Sequence, residues 1–514
     1  MSRTPTTNNL TDDRAAKLFS HKYYLVLVCL VALAYLALAV CNARTRSPWS
    51  DEAWFANAAL NLITKGHMAT TVLETAGTNL KGLDQYTYWV MPLHLLTQAA
   101  WYKVFGFSLF AMRMLSTAWG AVALVSWYFI IKSLSGERKV ALLTFILLAL
   151  DYVFIMAASF GRMDMMSAAL GSAALAAYLL LRERDLKLAI FLGQSLVTAC
   201  GLTHPNGGVL FFVGLLFLIL YFDRARLKWQ HLMIAGIPYV IGAAAWSTYI
   251  LRAPSLFVSQ LTANAAMGGR MSGLTSPLSA LKNEITLRYL TAYGLGQHTS
   301  GHLGPVQLKA LVLVAYLIAI IGVLSVRAIR QHKGYRALLM LTAIYFIILT
   351  FFDGQKMSFY LVHIIPLYTA ILAVWINWCW SRRLLPRWLV ALAVCGLVAL
   401  QVGGVLYRVK VNAYRNSYMA AVDVVKQNAK PDTLVMGSAI LGFELGFDHV
   451  LDDVRLGLYS GKRPDLIVIG EPYEEALKEY EAHQTVEWQH IQRLLAEDYR
   501  EVYDHELYRI YVRR

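Results

Sequence analysis

Several short stretches of this chain set ionisable side chains where long apolar runs begin or end. "SPWSDEAWFANAALNLI" (47–63) places Asp51 beside Glu52 directly after the first apolar run, and "AASFGRMDMMSAALG" (157–171) carries Arg162 and Asp164. "DGQKMSFYLVHIIPLY" (353–368) carries Lys356, Tyr360 and His363, while "TNLKGLDQYTYW" (78–89) carries Lys81 and Tyr88. Carboxylates in such places can take a proton from an attacking hydroxyl, and fixed cations with a phenol can hold an anionic leaving group. His204 in "THPNGG" and Arg270 in "AMGGRMSG" are further cations of the same kind.

The blandest reading of the first stretch is a helix start, with Ser50 as N-cap and both carboxylates in the first turn, where the helix dipole favours them. Helical spacing adds a second reading. Trp54, Phe55, Ala58, Ala59, Leu62 and Ile63 form one apolar stripe, with Asp51 one turn before it on the same face. This predicts a short helix on the membrane surface that directs one carboxylate towards the bundle. Arg162 and Asp164 read either as a local ion pair or as a second carboxylate facing the same cavity as Asp51. Asp151, in "LLALDYVFIM", falls partway down an apolar run and needs a neighbouring donor. His298 and His302 stand one helical turn apart without a flanking carboxylate, a poor metal site.

The elements that must position these groups are membrane helices. The 514 residues are 57% hydrophobic and 15% charged, with a mean hydropathy of +0.48, which excludes a soluble globular chain. The net charge of +15 lies in short clusters between apolar runs, as loop anchors do, and does not argue for nucleic acid. About eleven spans are predicted, near 23–41, 111–132, 139–159, 164–182, 186–203, 207–222, 231–251, 307–326, 336–353, 358–380 and 387–407. A twelfth run, Tyr88–Gly106, carries Pro92, His94, Gln98 and Lys103 and is read as an amphipathic interfacial segment; inserting it would throw every later basic loop outward.

Residues 1–22 are then a cytoplasmic tail before an uncleaved anchor, and 23–410 form the transmembrane domain. The outer loops are 42–110, with interfacial helices, and 252–306. Residues 411–514 are predicted to form a small exoplasmic α/β domain, with a helix at "MAAVDVVKQNA", strands at "DTLVMG" and "DLIVIG", and a polar helix near "VEWQHIQRLLAEDY". Its glycines at 437, 442 and 446 do not make a phosphate loop. The five cysteines, all in or beside apolar runs, show no CxxC pair.

In order and spacing these motifs resemble the GT-C glycosyltransferases, in particular the branch of protein O-mannosyltransferases and lipid A aminoarabinose transferases. The resemblance rests on the Asp51–Glu52 pair, "KGLDQYTYW", "FGFSLFAMR" (105–113), Asp164, "THPNGG", and the late Lys356, Tyr360 and Pro366. It implies a GT-C-like polytopic α-helical enzyme that moves a sugar from a polyprenyl-phosphate carrier to an acceptor hydroxyl or phosphate on a lipid, glycan or protein, with inversion, at the outer face of the membrane. On that reading Asp51 is the general base, Glu52 supports it or the acceptor, and Asp164 orients acceptor or sugar. Lys81, Arg270 and Lys356, with Tyr360, stabilise the departing phosphate, and Tyr88, Arg162 and His204 complete the substrate site. His204 departs from the pattern, standing where the aminoarabinose transferases carry Lys. No metal or other cofactor is required, although some relatives bind a divalent ion. A bacterial cytoplasmic membrane is the expected location. The competing reading is a multi-span transporter or flippase, which would show internal repeats and mid-bilayer carboxylates; a non-catalytic membrane scaffold would leave the charged series unexplained.

Overall fold

A computed structural model describes residues 8–266, 272–295, 308–505 and 507–514. Arg270, His298 and His302 lie outside the described residues. The chain opens with α1 (Asn8–Thr45), α2 (Ser50–Thr64), α3 (Pro92–Phe105) and α4 (Leu109–Ser135). It continues with α5 (Arg138–Ala149), α6 (Tyr152–Ala158), α7 (Met163–Leu181), α8 (Leu186–Thr203), α9 (Pro205–Asp223) and α10 (Trp229–Ile250). Then come α11 (Pro254–Ala266), α12 (Ser272–Thr275), α13 (Pro277–Asn283), a π-helical turn Glu284–Leu290, α14 (Ala310–Ser325), α15 (Arg327–Gln331), α16 (Lys333–Phe352), α17 (Ile365–Arg382) and α18 (Arg387–Val411).

Among the described residues all eleven predicted spans are helical, but they differ in how they cross. Eight helices among the described residues are long and apolar enough to span a bilayer, making this an integral membrane protein. A ninth is broken: α5 and α6 bend by 63°. Asp151 explains the break. Its Oδ1 caps α6 by accepting from Phe154 N at 2.9 Å, and its Oδ2 accepts from Tyr316 Oη at 3.0 Å and Gln401 Nε2 at 2.5 Å. A buried carboxylate thus satisfies the backbone donor freed by the kink, as an apolar environment demands. The remaining two, α14 at 16 residues and α17 at 18, are short or carry polar residues. The core holds fully buried Trp127, Phe154, Tyr178 and Phe211, whereas α1 and α10 present Leu30, Leu33, Leu232 and Val240 outwards, as lipid-facing helices do.

The run read as interfacial is α3, whose 14 residues are too few to cross. It starts with Pro92 in its first turn, where the missing amide costs nothing, and packs on α2 and α4. After α18 the chain enters an α/β unit with β1 (Val435–Gly437), β2 (Val450–Leu451), β3 (Leu466–Ile469), β4 (Tyr499–His505) and β5 (Tyr508–Arg513). Their order is β2-β1-β3-β5-β4; β1 runs parallel to β2 and β3, and β5 antiparallel to β3 and β4. Both predicted strands are present, since "LVMG" and "LIVI" are apolar runs buried on both faces.

This unit is tied to the segment that follows α2. Asp452 N donates to Val72 O at 2.7 Å, and Glu74 N donates to Asp452 O at 3.0 Å. Trp54 Nε1 of α2 donates to the buried Asp452 carboxylate at 3.0 Å, and Lys462 pairs with Glu74 at 2.7 Å.

Candidate active site

Helix α2 begins at Ser50, and Trp49 occupies the cap position. Ser50 therefore does not cap; its Oγ lies 3.3 Å from Ser438 Oγ. Glu52 does part of that work, accepting from Trp49 N at 3.0 Å. The two adjacent carboxylates point in different directions and meet different fates.

Glu52 is fully buried. It accepts from Arg113 Nε at 2.8 Å, Arg113 Nη2 at 2.7 Å and Gly161 N at 2.8 Å. Arg113 also donates to the carbonyls of Ala43, Arg46 and Ser47, so one guanidinium joins the end of α1, the turn after it, α2 and α4. A side chain at Gly161 would come within 3.0 Å of Glu52 Oε1 and closer still to Met112, so the approach requires glycine. Glu52 has no lone pair left for a substrate. Its geometry makes it a positioning group.

Asp51 faces Arg162, and its side chain is 23% exposed. Arg162 Nη1 pairs with Asp51 Oδ2, while Arg162 Nε donates to Asp164 Oδ2 at 2.9 Å. The local Arg162–Asp164 pair and the shared cluster are thus both present, because the guanidinium fork serves two carboxylates at once. The fork is held flat by Phe359, whose ring centroid lies 3.9 Å from the guanidinium carbon. Asp164, in the first turn of α7, also interacts electrostatically with His204 and His363. Its Oδ1 is buried and has no hydrogen-bond partner among the described residues. His363 Nδ1 lies 3.1 Å from Tyr360 O and must carry the proton, which leaves Nε2 as a bare acceptor, also buried and without a partner. Two buried acceptors, Asp164 Oδ1 and His363 Nε2, thus lack a donor among the described residues.

His204 is buried and caps α9, its Nδ1 accepting from Asn206 N at 3.2 Å, and its ring lies 5.2 Å from that of Tyr360. On α3, His94 is 3% exposed and stands edge-on to Phe55, and burial pushes it down to about 4. Tyr88 is buried too: its N donates to Gln260 Oε1 at 2.7 Å and its Oη to Tyr249 O at 3.0 Å, so it locks the 81–88 segment to α10 and α11. Lys81, on that segment, is exposed.

Lys356 is not at an open mouth. It adopts φ +56° and is 3% exposed, with Nζ 3.1 Å from Glu284 Oε2 and donating to the carbonyls of Leu349 and Thr350. Arg288, fully buried, pairs with Glu284 at 2.6 Å and with Asp353. Burial pulls the Lys356 ammonium below the usual lysine range, and Glu284 opposes this. The i, i+4 spacing of Glu284 and Arg288 was the signal for this quartet. Among the described residues no group of three or more His, Cys, Asp or Glu is arranged to hold a metal.

No protein-family profile matches the chain. An uncharacterised protein of Aquifex aeolicus (strain VF5) is 28% identical over 127 residues, about a quarter of either chain. Among solved structures, ArnT from Cupriavidus metallidurans bound to undecaprenyl phosphate is similar over 94% of this chain and 97% of its own, with a TM-score of 0.60 and 15% identity. The Archaeoglobus fulgidus oligosaccharyltransferase tethered with an acceptor peptide is similar over 97% of this chain and 75% of its own, with a TM-score of 0.56 and 12% identity. The likeness is one of fold: the chain has the GT-C membrane architecture with a small C-terminal sheet.

Proposed function

We propose that this protein is a membrane glycosyltransferase that moves a sugar from a polyprenyl-phosphate donor to an acceptor, with inversion and with Asp51 as general base. The observation that carries this is the contrast within one helical turn: Glu52 is sealed by Arg113, whereas Asp51 is held by one guanidinium and keeps 23% of its side chain accessible. An ionised carboxylate so placed can accept the proton of an attacking hydroxyl. Arg162 fixes its direction, and Asp164 with His363 supplies acceptors for sugar or acceptor hydroxyls. The fold shared with an undecaprenyl-phosphate-bound ArnT supports a polyprenyl-phosphate donor.

Lys81, exposed beside the locked Tyr88 segment, meets the departing phosphate, a task the resemblance also gives to Arg270. Lys356, committed to Glu284, and Tyr360, beside His204, contribute from the wall of the site. The charged series faces outward, and the cytoplasmic membrane of a bacterium is the setting we assign. The transporter reading explains the spans but not a carboxylate pair with opposite environments at a helix start.

The test is release of free polyprenyl phosphate from a panel of polyprenyl-phosphate sugars, with cell-envelope extract as acceptor, for wild type and Asp51→Asn. Loss of at least ~100-fold in the variant supports transfer chemistry with Asp51 as base. Equal turnover by both proteins removes the base assignment, and no turnover by either favours the transporter.

A further inference from the structure

A cleft of about 320 Å³ separates α2 from the C-terminal unit, and Ser50, the neighbour of Asp51, is in its wall. Its volume is in the range of small-molecule sites. Two aromatic rings, Trp54 and Tyr473, line it, and one carboxylate fixes both: Asp452 accepts from Trp54 Nε1 at 3.0 Å and from Tyr473 Oη at 3.0 Å. Trp54 is backed by Trp89, with ring centroids 5.9 Å apart. Tyr473 is 2% exposed and serves to hold Asp452, so half-buried Trp54 is the ring that faces the cleft, preorganised by Asp452 and Trp89.

The charges around the cleft are unequal in how far they are committed. Asp452 also accepts from Ala439 N at 2.9 Å. Asp453 accepts from the backbone amides of Arg455 and Gly457, and Glu74 from Lys462 and the amides of Thr75 and Ala76. Arg455 differs. Its Nε is buried and, although Asp453 Oδ1 stands 3.6 Å away as an ion-pair partner, it makes no hydrogen bond among the described residues. The carboxylates accept hydrogen bonds while this guanidinium N–H, paired with Asp453 by charge alone, donates none, which suits a ligand that brings acceptor oxygens.

We infer that this cleft is a saccharide-binding site, built jointly by α2 and the C-terminal unit, in which a sugar ring packs on Trp54 and presents oxygen acceptors to Arg455. Rigid aromatic faces suit the apolar C–H face of a pyranose, and a guanidinium fork suits paired ring oxygens or a carboxylate. Resting on the transferase reading, this names the acceptor: a glycan, held beside Asp51. The acceptor oxygens can belong to a neutral sugar or to a uronic acid, and the two are separated by experiment.

Saturation-transfer NMR on the full chain in nanodiscs, with a β-1,4-linked glucose disaccharide and with glucuronate as probes, tests this without any donor. The expected result is binding of at least one probe, weakened at least ~10-fold by Arg455→Ala and by Thr78→Trp, which fills the cleft, and unchanged in Lys426→Ala on the remote surface. A disaccharide signal assigns a neutral glycan, and a glucuronate signal alone assigns an acidic one. Binding that survives both cleft variants, or binding of a short polar peptide with neither sugar bound, overturns the proposal. In parallel, release of polyprenyl phosphate is measured with and without envelope extract. Acceptor-dependent release by Thr78→Trp equal to wild type removes the cleft from the reaction while leaving the transferase reading intact. Absence of all release in wild type removes that reading while the sugar-binding result stands.

Discussion

Two clusters of opposed charge sit at neighbouring helix ends and differ in closure. In one, Glu284 and Asp353 face Arg288 and Lys356; acids and bases are matched and every side chain is at most 5% exposed. In the other, Arg162 is the guanidinium shared by Asp51 and Asp164, with His204 and His363 near Asp164, and Asp51 reaches solvent. Glu52 with Arg113, both fully buried, belongs with the first kind. A matched and sealed cluster holds helices together, because each charge is affordable only while its partner stays. In an unmatched cluster with one accessible member, that member can be reached from outside without breaking a sealed pair.

Breaking the sealed kind has the largest effect. Arg113→Met leaves Glu52 buried and unpaired, and thermal unfolding in detergent is expected to register a loss of about 3–5 kcal/mol. Next is His94, beside the open cluster. Its folded-state value of about 4 lies below the ordinary 6.5, so the stability it contributes is present above pH 6.5 and is lost as pH falls towards 4. The loss is on the order of 3 kcal/mol, and unfolding midpoints measured across that window should lose this acid sensitivity in His94→Gln. Lys356→Met removes one partner but leaves Arg288 on Glu284; a smaller cost of about 1–3 kcal/mol is expected in the same assay. The smallest change is Asp51→Asn, which should move unfolding by less than about 1 kcal/mol while turnover collapses. If Asp51→Asn unfolds as readily as Arg113→Met, the distinction between the two kinds of cluster is lost.

Much of this was legible in the sequence, for reasons that differ by element. Apolar runs of about 20 residues announce spans whatever their packing, and "LVMG" and "LIVI" announce buried strands. The hairpin Tyr499–His505 and Tyr508–Arg513 was not anticipated, because its charged residues mask the alternation. Asp51 and Arg162 were visible as costly groups at span ends. The separation of Asp51 from Glu52 was not, since adjacent helical residues point about 100° apart and only the positions of Arg113 and Arg162, 62 and 111 residues further on relative to Asp51, decide which carboxylate is sealed. Lys356 looked like an outward cation because its partner, Glu284, lies in a segment read as loop.

The bond from Trp54 to Asp452 joins residues 398 positions apart. A ribosome makes the helix that carries Asp51 early and its clamp very late. Until Val450–Leu451 has paired beside Val435–Gly437, the edge that grips Val72 and Glu74 does not exist, and the segment after α2 lacks that anchor. A late-made part of the chain thus fastens a segment made among the first, while Glu52 and Arg113 already hold the start of α2 to the helices beside it.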